Sequence, residues 1–84
     1  MDVSNTLKLY STKLDEVLHG LRANPHTNEP TIVELEHLVY MIEKMSDKKQ
    51  DFSEGKTNRW LGFIQGVLWH HHIFTIDQMR EHNR

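Results

Sequence analysis

With 84 residues and no cysteine, the chain has room for a single domain, and disulfides, thiolate nucleophiles and cysteine-rich zinc sites are excluded together. Ten lysines and arginines stand against 12 aspartates and glutamates, a formal net charge of -2, so no overall field favours nucleic acid or an anionic membrane surface. The longest apolar run is far shorter than a bilayer span, and Met1-Asp2-Val3-Ser4-Asn5 has neither the basic nor the apolar region of a signal peptide, which points to a cytoplasmic protein.

From Val3 the apolar residues Val3, Leu7, Tyr10, Leu14, Val17 and Leu21 alternate steps of four and three, the seam of an amphipathic helix over residues 3–23. It stops before Pro25, which disfavours helical dihedrals at Asn24, and residues 24–30, with a second proline, read as a loop. Thr31 and Glu34 have the spacing of a capping box and open a second helix, 32–53, with Leu35, Leu38, Ile42, Met45 and Phe52 on one stripe and Val39 beside it. Lys48, Lys49, Gln50 and Asp51 make its last turns polar, and Gly55 stands where a left-handed residue ends a helix.

Thr57 or Asn58 caps a third helix, 58–70. Its stretch from Trp60 to Trp69 holds a single polar side chain, Gln65. At about 100° per residue, Trp60, Phe63, Ile64, Val67 and Leu68 spread over one broad face while Gly62, Gly66 and Trp69 line another, so the helix is expected to be buried on more than one side. Thr75 and Gln78 form a second capping box, flanked by Phe74 and Met79 at the positions of a hydrophobic staple, and start a short fourth helix, 76–82.

Gly62 and Gly66 are spaced so that two backbones can approach closely, and each costs about 0.8–1.0 kcal/mol against alanine in a helix interior. Trp69 shares their face, and tryptophan is frequent among the residues that dominate binding energy. Arg59, Trp60, Gly62, Gly66 and Trp69 are therefore the candidate interface. His70, His71 and His72 are adjacent, with His82 beyond the Ile73-Phe74 turn, but neighbouring helical residues diverge, so no metal site is expected and the run reads as a solvated helix end. Glu16 with His19 and Glu34 with His37 match the Glu-x-x-His spacing of di-iron bundles, yet both pairs fall away from the apolar stripes, whereas such ligands project inward.

Nucleophilic and phosphate-binding motifs are lacking, so neither an enzyme nor a cofactor is expected. The cations Lys44, Lys48, Lys49, Lys56 and Arg59 form a loose cluster rather than a basic stripe, and nucleic acid is not an expected partner.

The segment Asn58-Arg59-Trp60-Leu61-Gly62-Phe63-Ile64-Gln65-Gly66-Val67-Leu68, followed by Phe74-Thr75-Ile76-Asp77-Gln78-Met79-Arg80, resembles small accessory proteins encoded by tailed bacteriophages, mostly of unassigned activity. The resemblance covers roughly the last third of the chain and transfers no site residues. By association it implies host takeover or counter-defence. His70-His71-His72 stand where a glycine-containing turn would be expected.

These observations give an all-α fold. A helical hairpin is expected, with a buried third helix packed across it and a short C-terminal helix, assembled as a homo-oligomer because a core this small leaves apolar surface over. Two functions follow. One is a binding protein that docks on a host or defence protein and inhibits or redirects it. The other is an oligomeric sponge that holds a small anionic ligand, such as a signalling nucleotide, through Tyr10, Tyr40, Arg59 and Trp69.

Overall fold

The structure, a computed structural model, describes residues 3–47 and 49–83. Among them there are four α-helices and no strand: α1 (Ser4–Arg22), α2 (Pro25–Ser46), α3 (Glu54–His70) and α4 (Ile76–His82). The all-helical class expected from the periodicity holds. None of these helices is long and apolar enough to cross a membrane. The chain falls into two compact units, Met1–Asp51 with α1 and α2, and Phe52–Arg84 with α3 and α4.

In the first unit α1 and α2 pack on each other as a hairpin. Helix α1 buries Leu7, Tyr10, Leu14 and Leu18. Those steps of three, four and four follow the 3.6-residue period of a straight helix, so Val17 and Leu21, placed on a heptad seam by their spacing, lie at the half-buried margin. Helix α2 contributes Ile32, Leu35, Leu38, Met41 and Ile42. Each fully buried leucine contributes roughly 1.5–3 kcal/mol over leaving it in water, and no buried polar side chain among the described residues offsets that gain.

The corner between the helices corrects the sequence reading. Residues 25–30 are not a loop: α2 starts at Pro25, with Asn24 as N-cap, and Thr31 lies inside the helix rather than capping it. Proline suits the first helical position, where its missing N–H has no partner to lose, and it holds Asn24 in non-helical dihedrals. Pro30, inside the helix, forgoes one bond, to the His26 carbonyl. The early start also sets Asn28 where its amide donates to the Asn24 carbonyl at 3.1 Å and to the Leu21 carbonyl at 3.2 Å, a second bond on an oxygen that already accepts the Asn24 N–H at the end of α1. Arg22 reaches from α1 to Glu36 of α2 at 3.0 Å.

Helix α2 also ends earlier than residue 53. Asp47 leaves helical dihedrals, and its side chain accepts the Lys49 N–H at 2.9 Å, an Asx turn that competes with a further helical turn. Lys48 lies outside the described residues.

In the second unit Ser53, not Thr57 or Asn58, caps α3: its hydroxyl accepts the Lys56 N–H at 3.1 Å. Glu54 then favours the positive end of the helix dipole, and Gly55 sits in the first turn of α3 instead of closing α2. Phe52, expected on the α2 stripe, packs edge-on against Trp60 with ring centres 4.8 Å apart. The Lys56 ammonium lies 4.3 Å from the Phe52 ring centre and 5.2 Å from that of Trp60.

The capping box of α4 is formed as the spacing predicted. Thr75 accepts from the Gln78 N–H at 3.1 Å, and Gln78 accepts from the Thr75 N–H at 2.8 Å. Both staple residues, Phe74 and Met79, are buried. Gln65 and Asn83 exchange amide hydrogen bonds at 2.8 and 3.4 Å, which ties the end of α4 back to the middle of α3.

Candidate functional site

Within the single chain α3 is buried along one side, and the second buried side expected of it would need a second chain. Leu61, Ile64 and Leu68 are buried, an i, i+3, i+7 stripe. Phe63, assigned by its spacing to the core, is 52% exposed, and Trp69 is 51% exposed. The physical cause is the period: Leu61, Ile64 and Leu68 centre one face, and at about 100° per residue Gly62, Gly66 and Arg59 fall on the opposite one. All three are exposed.

This outward face has a shape. Gly62 and Gly66 present backbone along its middle, with Phe63 on one flank and Trp69 on the other. A methyl group built on either glycine meets nothing within 4 Å among the described residues. Neither glycine is therefore required by a close approach within the chain. At the C-terminal end the face continues into a shallow cleft of about 280 Å³ lined by Trp69, His72, Phe74, Thr75, Ile76 and Asp77, where Ile76 is again an exposed apolar side chain.

The cleft owes its form to the end of α3. His72 adopts φ 59°, a left-handed conformation rare outside glycine. Its N–H donates to the Trp69 carbonyl at 3.0 Å and that of Ile73 to the Leu68 carbonyl at 2.9 Å, the bond pair of a Schellman motif. A histidine here fills the turn position where glycine was expected.

Of the candidate interface residues, Arg59, Gly62, Gly66 and Trp69 share the outward face. Trp60 does not: it lies about 160° round the helix from Gly62, half-buried and engaged with Phe52 and Lys56. Phe63 belongs to the site and was missed. The omission of Leu61 from the buried stripe hid it, since that stripe leaves Phe63 outside.

Tyr10, a candidate ligand contact of the anion sponge, is corrected to a core residue: it is 0% exposed and packs in the α1–α2 hairpin. Tyr40 is half-exposed on α2, stacked with His37 at 6.0 Å and with the Lys44 ammonium 5.6 Å from its ring centre. Glu16, His19, Glu34 and His37 are exposed, as their phase requires. The His70 and His71 rings meet edge-on at 5.0 Å, and His82 packs edge-on against Phe74 at 4.9 Å. Among the described residues no three histidines or carboxylates are grouped to hold a metal ion.

Comparison with protein-family models, with curated proteins and with solved structures found no match to this chain.

Proposed function

We propose that this chain is a small phage-type helical binding protein that docks on a host or defence protein and modulates it without catalysis. One observation carries the reading: the outward face of α3 sets two glycines in open space between two half-exposed aromatic side chains. Glycine at mid-helix costs stability, and among the described residues none packs on Gly62 or Gly66 to return that cost. A partner helix laid against the glycine backbone, clasped by Phe63 and Trp69 with Arg59 at one end, would do so. The same face suits a second copy of the chain, so a homo-oligomer belongs to the proposal.

Affinity capture from a bacterial lysate tests it, with the intact chain compared against Trp69→Ala. The intact chain is expected to retain a stoichiometric protein. Trp69→Ala is expected to weaken that complex by about thirtyfold or more, the usual effect of truncating a central aromatic residue. Equal recovery by both chains, or none by either, would sink the reading.

A further inference from the structure

A second surface, in the α1–α2 unit, is built differently. Two clefts of about 210 and 410 Å³ lie end to end along the groove between the two helices and meet at the Arg22–Glu36 pair, which lines both. Leu18 and Val39 form the floor of one, with Tyr40 at its edge; Ile32, Val33 and Pro25 line the other. Val33 is 60% exposed and Tyr40 51%. These two lie seven residues apart, so they form an apolar ridge nearly parallel to the helix axis.

Beside that ridge, Glu29, Glu36 and Glu43 repeat at the same seven-residue interval. They form a row of carboxylates about 21 Å long, at 1.5 Å of rise per residue. Asp15 adds a fourth carboxylate from the α1 wall. Arg22 is the one guanidinium lining the two clefts, and it is drawn onto Glu36 at 3.0 Å. His26 also lines the second cleft, and the Lys44 ammonium lies 5.6 Å from the Tyr40 ring centre, so the groove is apolar along its base and carries more carboxylates than cations along its rim.

We propose that this groove is a docking surface for a basic amphipathic helix. The geometry selects that occupant in two ways. A groove between two packed antiparallel helices accepts a third helix whose apolar residues recur at three and four. The seven-residue spacing of Glu29, Glu36 and Glu43 matches lysines or arginines at every seventh position of that helix, with Glu36 shared between Arg22 and the incoming cation. An acidic helix is repelled by the same row. This surface lies on other helices than the α3 face and stands or falls separately from it.

The test uses the full chain, isotopically labelled, titrated with a synthetic helical peptide of about three heptads carrying leucines at the apolar positions and lysines seven apart. Its counterpart with glutamate for each lysine is the control. The lysine peptide is expected to shift the backbone resonances of Leu18, Val33, Val39 and Tyr40, with affinity falling as salt rises. The double variant Glu29→Lys/Glu43→Lys, at two exposed positions, is expected to keep the helical circular dichroism of the parent and to weaken binding about tenfold or more. Equal binding of both peptides, equal binding by the variant, or shifts confined to α3 and α4 would each overturn the proposal.

Discussion

His72 is the residue at which backbone geometry and side-chain identity disagree. A left-handed conformation costs a non-glycine residue about 1–2 kcal/mol, and part of that is returned by the smaller entropy a histidine loses on folding. His72→Gly should therefore stabilise the α3–α4 unit by about 0.5–1 kcal/mol in a denaturant melt, and His72→Val, β-branched, should destabilise it. An unchanged or lowered midpoint for the glycine variant would show that the turn is not left-handed. Gly62 and Gly66 present the opposite case: the conformation is ordinary and the side chain is missing. With open space around both, Gly62→Ala and Gly66→Ala should each raise stability by about 0.8–1.0 kcal/mol. Lower stability in either variant would mean that the glycine is needed for packing within the chain.

At the scale of elements, the start of α2 is the sharpest departure from what spacing alone suggests. Two prolines five residues apart look like a loop, and Thr31 with Glu34 looks like a beginning. The structure instead uses Pro25 as a first helical residue and absorbs Pro30 one turn later. If so, Pro30→Ala restores an N–H to the His26 carbonyl and should stabilise the hairpin by about 1–3 kcal/mol, below or at the usual cost of an interior proline. Were residues 25–30 a loop, the same change would do little, and thermal melts separate the two. Part of what rests on neighbours in sequence was legible: the Thr75–Gln78 box needs only local geometry, and Leu7, Tyr10 and Leu14 of α1 need only its period, whereas Leu18, not the expected Val17, continues that stripe. The end of α2 at Asp47 was not, because an Asx turn and one more helical turn compete over energies near 1 kcal/mol. Phe52 followed from that error. The outward turn of Phe63 was missed for another reason: apolar residues surround α3 at nearly every angle, and period alone ranks faces poorly when most positions are apolar.

For the whole molecule, the decisive property is how much apolar surface remains uncovered. Phe63, Trp69 and Ile76 are all more than half exposed along α3 and the start of α4, where a soluble monomer ordinarily scatters such side chains singly. Burial of that face against a second copy recovers roughly 25 cal/mol for each Å² of apolar surface removed, and a two-fold axis through the glycines uses one patch twice. The mass measured by light scattering should accordingly rise above the 10.0 kDa of one chain as concentration increases from micromolar to millimolar. Gly66→Leu fills the space between Phe63 and Trp69 with a branched side chain while improving helix propensity, so its mass should stay at one chain over the same range with no loss of thermal stability. A parent chain that remains at 10.0 kDa throughout would remove self-association from the proposal and leave the face to a foreign partner. A Gly66→Leu chain that assembles as the parent does would move the contact off α3 altogether.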